Sequence, residues 1–174
     1  MATELTALVG ALACQLQITA SKDATLAIPN DPLNYLYELD IAFGTGDNQA
    51  DQLYYDSNDV TETDLEYDFY GGVENNFGDT VTFSSIKGVI IRNSGLDAIE
   101  VSPGDTDPAQ LWFGSLLESQ KIEPGGIMIQ TAPEDGWTVD SSETSLIISA
   151  WNVMSGRDPL TAATYDIIVW GVNE

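Results

Sequence analysis

LEYDFYGGVENNFGDTVTFSSIKGVIIRN, residues 65 to 93, is the stretch that decides the fold of this chain. At its start Leu65, Tyr67 and Phe69 alternate with Glu66 and Asp68, which predicts a strand with one apolar and one charged face. Glycine and asparagine interrupt the pattern before a second alternating segment at residues 80–84. The aliphatic run at residues 89–91 is typical of an interior strand. We therefore expect a hairpin that seeds a sheet, to which later strands are added.

The register of this hairpin is interrupted near the start of its second strand. Ser84, Ser85 and Lys87 break both alternations. An extra residue in one strand of an antiparallel pair produces such a break. The sequence therefore predicts a bulge or a bend at residues 84–87.

The rest of the chain alternates in the same way. The clearest amphipathic strand lies at residues 35–43, and turn signals follow roughly every eight to twelve residues. Pro124, Gly125 and Gly126 favour a type II turn, whereas residues 111–113 fit either a strand or a loop plug. With roughly nine or ten short strands and no sustained helical period, we predict an all-β protein, an antiparallel β-sandwich of jelly-roll type.

The charge of the chain limits its partners. It has 28 acidic and 5 basic residues among 174, for a net charge of −23. Phosphate backbones and anionic membrane surfaces attract Lys and Arg, so neither nucleic acid nor a membrane is an expected partner. A strongly acidic surface keeps a protein dispersed, and it can also meet a basic partner or a divalent cation.

The residues needed for most catalysis are missing. The chain has no histidine, which removes the commonest general base and metal ligand. Cys14 is the single cysteine, so no internal disulfide can form. Many carboxylates, Asp105 and Asp107 among them, could in principle hold Ca²⁺, but solvated surface is the ordinary role of such residues. We expect no enzymatic activity, no cofactor and no assigned metal site.

The first thirty residues form a separate segment. The apolar run from Leu5 to Cys14 is similar to the core of a signal peptide, but Glu4 occupies the position where such peptides carry positive charge. The run is also too short to span a bilayer. We therefore expect residues 1–30 to be an N-terminal arm and residues 31–174 to be the β-sandwich domain.

A series of motifs extends over roughly residues 35–172 and ends with the strand at residues 164–171. Its positions before that strand are Asp68, Gly72, Phe77, Gly78, Thr80, Val81, Phe83, Lys87, Ile90, Arg92, Asn93, Pro124, Gly125, Gly126, Pro133, Gly136 and Trp137. The order of these motifs resembles that of small structural proteins of tailed bacteriophages, the capsid cement or decoration proteins.

The resemblance implies a virion protein on the outer surface of the capsid. Such proteins are homotrimers with a β-sandwich or jelly-roll core and an N-terminal arm, and they brace neighbouring major capsid subunits. Lys87 and Arg92 lie in an otherwise apolar strand, so we expect each to pair with a carboxylate, within the chain or across an interface. The expected interface residues are Leu5, Leu8, Val9, Leu12, Leu16, Ile18, Lys87 and Arg92.

The sequence leaves one alternative function open. Four tryptophans and seven tyrosines could form a sugar-stacking surface, as in a receptor- or glycan-binding knob of a phage tail or fibre. This alternative predicts clustered, exposed tryptophan and tyrosine side chains. Aromatic residues of a β-sandwich more often fill its core or a subunit interface.

Overall fold

The computed structural model describes Leu8 and residues 10–21, 30–61, 63–75, 77–104, 108, 111–115, 117–142, 145–151 and 163–173. These residues form fourteen strands. They are β1 (Gly10–Ser21), β2 (Asn30–Phe43), β3 (Gln49–Ala50), β4 (Gln52–Val60), β5 (Leu65–Asp68), β6 (Tyr70–Glu74), β7 (Thr80–Thr82), β8 (Ser85–Asn93), β9 (Ile99–Pro103), β10 (Gln120–Ile122), β11 (Ile127–Thr131), β12 (Trp137–Thr138), β13 (Ser145–Ala150) and β14 (Ala163–Val172).

Two antiparallel sheets form the body. One has the strand order β10-β9-β13-β5, and the other has the order β11-β8-β14-β4, with β12 also paired to β8. A single cluster of buried residues draws side chains from both sheets, among them Ile91 and Tyr165 of one sheet and Ile148 and Val101 of the other. Apolar residues at alternate positions of each strand meet in this cluster. The predicted all-β sandwich is therefore confirmed, while its jelly-roll character stays a prediction.

Residues 65–93 do not form one hairpin, as the sequence suggested. β5 pairs with β13 in the four-stranded sheet, whereas β8 lies between β11 and β14 in the other sheet. Only β6 and β7 between them form a hairpin. The reason is the core: Phe69 and Phe83 are fully buried at the two ends of that hairpin, where the amide of Phe83 donates to the carbonyl of Phe69. The stretch thus connects the two sheets.

The predicted interruption at residues 84–87 is confirmed as a bulge. On β14, Trp170 lies opposite Gly88 and the next residue, Gly171, lies opposite Ile86. Lys87 is therefore the extra residue of β8. Such bulges re-aim a side chain and increase the local twist.

For three other segments, the structure can be compared with what the sequence pattern indicated. The polar residues that follow Tyr55 continue β4 as far as Val60, because they pair with β14 along its length. Residues 111–113 form a turn whose Phe113 is buried, so the loop-plug interpretation is confirmed. The type II turn is also confirmed: Gly125 has a φ of 75° and the amide of Gly126 donates to Glu123.

The N-terminal region forms a long β-ribbon. β1 pairs with β2 over twelve residue pairs, from Gly10 with Ile41 to Ser21 with Asn30. At about 3.3 Å per residue, β1 is about 40 Å long. The ribbon joins the body at its base, where β2 pairs in parallel with β3. The predicted arm boundary at residue 30 falls at the first residue of β2.

Candidate functional site: an apolar face beside the N-terminal hairpin

The outer face of the five-stranded sheet carries a row of apolar side chains. Tyr55, Ile168, Ile90 and Ile129 lie directly opposite one another on β4, β14, β8 and β11. Each of the four has at least one sequence neighbour in the sandwich core, so the row points the other way. We call these four residues the apolar row. It is half-buried at its centre, and Tyr55 at its end is 42% exposed.

The base of the hairpin packs beside the apolar row. Leu39 of β2 and Trp170 of β14 are buried together, and Leu8 and Leu12 pack against them. An apolar cleft of about 210 Å³ remains between hairpin and sheet. Its lining consists of Leu8, Gly10, Ala11, Leu12, Ile41, Leu53, Ile90, Ile168 and Trp170.

Trp170 owes its position to the glycine opposite it. Gly88 lies across from Trp170, and a Cβ atom at Gly88 would come within 1.9 Å of the indole carbon Cζ2. Only a residue without a side chain lets the indole lie flat over β8. The indole is 4% exposed and forms the floor on which the hairpin base packs.

The structure brings some of the predicted interface residues of the arm together. Leu8 and Leu12 both line the cleft. Leu16 and Ile18 lie on β1, in register with Tyr35 and Leu33 of β2. Leu5 and Val9 lie outside the described residues.

Lys87 is buried, at 3% exposure, and its partner differs from the expected carboxylate. Its ammonium group donates a hydrogen bond of 2.5 Å to the backbone carbonyl of Gly46. Gly46 belongs to the loop between β2 and β3, and the amide of Ala42 in β2 donates to the carbonyl of Asn48 in the same loop. The bulge aims Lys87 at this loop, so a charge in the central strand fixes the base of the hairpin.

We expect Lys87→Met to lower the free energy of unfolding by about 1–3 kcal/mol, because it keeps the length of the side chain but removes the charged donor. Amide hydrogen exchange at residues 44–50 should accelerate at the same time. Arg92→Met is the matched control on the same strand. Because Arg92 is exposed, its replacement should change stability by less than about 1 kcal/mol. Equal effects of the two changes would contradict this role of Lys87.

Arg92 lies at the edge of the apolar row. It is exposed, directly opposite Asp166 of β14 on one side and Ile127 of β11 on the other. Ile127 is 58% exposed. Among the described residues, Lys121 and Glu123 form an ion pair with charged atoms less than 4 Å apart. Arg92 forms no such pair with a described carboxylate. Arg92 therefore forms part of a polar rim around apolar side chains.

Three buried tyrosines form a polar network with Asp56 in the core. Tyr54 and Tyr67 donate to one carboxylate oxygen of Asp56, at 3.2 and 3.4 Å. The hydroxyl of Tyr165 bonds that of Tyr67. Each hydroxyl has one proton, so Tyr165 donates to Tyr67 when Tyr67 donates to Asp56. This network joins β4, β5 and β14, and hence the two sheets.

Burial makes these three tyrosines hard to ionise. It raises the pKa of Tyr67 to about 12, and the negative charge of Asp56 adds to the effect. Burial also raises the pKa of Tyr54 and of Tyr165, for which the charge of Asp56 and the bond to Tyr67, respectively, are further causes. A hydroxyl that stays protonated in this way is a stable donor and not a general base.

The acidic residues do not assemble into a metal site in the part of the chain that the structure describes. That part contains no group of three or more His, Cys, Asp or Glu side chains placed to hold an ion. Asp105 and Asp107 lie outside it. It also contains no helix long and apolar enough to cross a bilayer.

The four tryptophan side chains are buried or half-buried. Trp170 is buried, and Trp112 and Trp137 pack edge to face with ring centroids 5.6 Å apart. Trp151 is half-buried beneath the ammonium group of Lys121, which lies 4.7 Å from its ring centroid. The cluster of exposed tryptophans that a glycan-binding surface would show is not formed by these four residues.

No protein-family model, no curated protein and no solved structure matches this chain. The properties of the candidate site therefore rest on its own geometry.

The apolar row is the feature that sequence patterns alone did not reveal. The aliphatic run of β8 was expected to be apolar on both faces because it is typical of an interior strand. Only the pairing of Tyr55, Ile168, Ile90 and Ile129 shows that one of these faces is the outside of the sandwich. The exposed phenyl group of Phe77 and the exposed side chains of Leu96 and Leu117 are single residues in turns and loops, where they need no such explanation.

Proposed function

We propose that this chain is a structural virion protein, a capsid cement or decoration protein that braces neighbouring major capsid subunits on the outer surface of a tailed-phage head. The observation that carries the proposal is the apolar surface formed by the hairpin base, the apolar row and the exposed Ile127, which lies on the same face of β11 as Ile129. This surface is rimmed by Arg92 and Asp166. Apolar surfaces with polar rims are typical of protein–protein contacts.

The charge of the chain favours this kind of partner. With a net charge of −23, approach to another acidic surface is opposed by repulsion. An apolar surface with few charges lets a large protein bind by burial of area. A bracing protein needs such a contact together with soluble loops, and it needs no chemistry. The resemblance at residues 35–172 implies that the partner is the major capsid protein.

The resemblance also implies an oligomeric state, a strand arrangement and a role for the N-terminal arm. The chain would be a homotrimer with a jelly-roll arrangement of its strands, and residues 1–30 would act as an arm that reaches a neighbour. It would bind neither nucleic acid nor a membrane, and it would hold no cofactor. The glycan-binding knob stays the alternative: the tryptophans are packed, whereas Tyr55 and Tyr70 are exposed.

Virions whose genome encodes this chain provide the test. Mass spectrometry should detect the chain in purified particles, and a cryo-EM map should show it across the joints between capsomers. Particles from which it is removed should bind the added protein again. Ile127→Glu should weaken this binding about tenfold or more, because it places a charge where about 2 kcal/mol of apolar burial is expected.

Leu96→Glu is the matched control. Leu96 is 78% exposed and lies in the loop after β8, away from the apolar row, so this change should leave binding within about twofold. Both side chains are exposed, so both variants should fold normally. Absence of the chain from the virion would overturn the proposal. Equal binding of Ile127→Glu and the unchanged protein would overturn the assignment of the docking surface.

A further inference from the structure

Among the described residues, no strand pairs with the outer edge of β1, and this edge lacks the usual protection. β1 lies at the end of the order β1-β2-β3, and β2 is its partner within the described residues. From Gly10 to Ser21 the strand contains no charged residue and no proline. Natural proteins normally block an exposed edge with charges, proline or a bulge, because its free amides and carbonyls recruit another strand. In so acidic a chain, a run of twelve uncharged residues along this edge favours pairing with another strand.

The pattern of β1 is the same in both directions. Apolar residues occupy positions 12, 14, 16 and 18, which are symmetric about Gln15. Small or uncharged polar residues occupy the positions between them, and Ala11, Ala13 and Gln15 are exposed. An antiparallel contact between identical strands places position i opposite position 30 − i when Gln15 lies on the two-fold axis. Leu12 then faces Ile18 of the second copy, and Cys14 faces its Leu16.

We propose that β1 pairs antiparallel with β1 of a second copy, centred on Gln15, to give a four-stranded ribbon in the order β2-β1-β1-β2. The two-fold pairing matches apolar positions with apolar ones on one face and uncharged polar positions with each other on the opposite face. No other strand partner is required to explain the palindromic pattern.

The charges of the hairpin are placed to permit this contact. Glu38 and Asp40 lie on β2, opposite Ala13 and Ala11. In the four-stranded ribbon the two β2 strands are three strand spacings apart, about 14 Å. That separation exceeds the Debye length of about 8 Å at physiological salt, so the carboxylates of the two copies are screened from each other.

The pairing also stabilises the hairpin. A ribbon of two strands is marginally stable in water, whereas a sheet of three or more strands with an apolar face is stable. The hairpin packs on the body at its base, through Leu12 and Leu39. A second copy supplies the missing neighbour for the remaining length. The contact is a property of the purified chain and does not depend on a virion role; in a trimeric cement protein it would join adjoining trimers.

Cysteine crosslinking tests the two-fold axis. Gln15→Cys in a Cys14→Ser background should form a disulfide-linked dimer on oxidation, because opposite residues have Cα atoms about 5 Å apart. Ala13→Cys in the same background is the control. Its symmetry mate lies four residues away along the strand, about 13 Å, which is too far for a disulfide. A dimer with Gln15→Cys alone supports the proposal, and equal dimer yields or none overturn it.

A charge variant tests the same contact without a cysteine. Gln15→Glu places two carboxylates opposite each other on the axis, and like charges in this position destabilise a strand pair. Sedimentation should show that the dissociation constant of the dimer rises about fivefold relative to the unchanged chain. Gln15 is exposed, so the variant should fold normally. An unchanged dissociation constant, or a chain that remains monomeric at all concentrations, would overturn the pairing.

Discussion

Replacing Trp170 by alanine is expected to release the N-terminal hairpin from the sheet and to lower the free energy of unfolding by about 3–5 kcal/mol. The indole is 4% exposed, and it fills the space between Gly88 and the side chains of Leu12 and Leu39. Its removal leaves a cavity beneath the hairpin, because the β8–β14 backbone cannot collapse to fill it. Denaturant unfolding measures the loss of stability, and hydrogen exchange of the β1 and β2 amides measures the release.

Gly88→Ala tests the same contact from the other side. The added methyl group would overlap the indole, so Trp170 must move, and such overpacking costs about 1–3 kcal/mol. Trp151→Ala serves as the control, since Trp151 is half-buried beside Lys121 at the end of β13, in the other sheet. It should not change exchange in β1 and β2. Unchanged protection of the hairpin in both Trp170→Ala and Gly88→Ala would contradict the anchoring role of Trp170.

Raising the pH through 10 to 12 is expected to unfold the protein cooperatively as the buried tyrosines ionise. The pKa of Tyr67 is about 12 in the folded chain and 10.0 in the unfolded chain, so the folded state holds this proton more tightly. The contribution of Tyr67 to the free energy of unfolding is therefore fully present below pH 10 and is lost as the pH rises towards 12. For Tyr67 alone the loss is about 2–3 kcal/mol. Tyr54 and Tyr165, whose pKa values are also raised, add to it.

Tyrosinate absorbance measures this transition. Three of the seven tyrosines should stay protonated until the chain unfolds, so absorbance and circular dichroism should change together. Tyr67→Phe should weaken the alkaline transition, and it should also cost about 1–3 kcal/mol at neutral pH because the hydroxyl of Tyr165 loses its acceptor. Tyr55→Phe, at an exposed position of β4, should change neither. Gradual ionisation of all seven tyrosines below pH 11 would contradict the buried network.

The two expectations concern different parts of the molecule. The tyrosine network joins the two sheets and stabilises the body, whereas Trp170 connects the body to the hairpin. A variant that releases the hairpin should therefore keep a cooperative alkaline transition, which its lower stability shifts to lower pH. This separation allows docking and folding to be measured independently in the same protein.

Much of the architecture could be predicted because strand period and turn chemistry are local properties. The alternation at residues 35–43 predicted β2, and a break in two alternations predicted the bulge at Lys87. Gly125 predicted the position of its turn. The continuation of β4 past Tyr55 was missed because its residues are polar. They form a strand through their pairing with β14, which is distant in sequence.

By itself the sequence determined that the chain is an antiparallel β protein, that its net charge is −23, and that β1 lacks charges over its whole length. Only the tertiary structure decided that residues 65–93 cross between two sheets, that Lys87 bonds a backbone carbonyl, and that an apolar row lies on the outside. The physical reason is that alternation assigns side chains to two faces. Which face is buried depends on what another, remote strand brings against it.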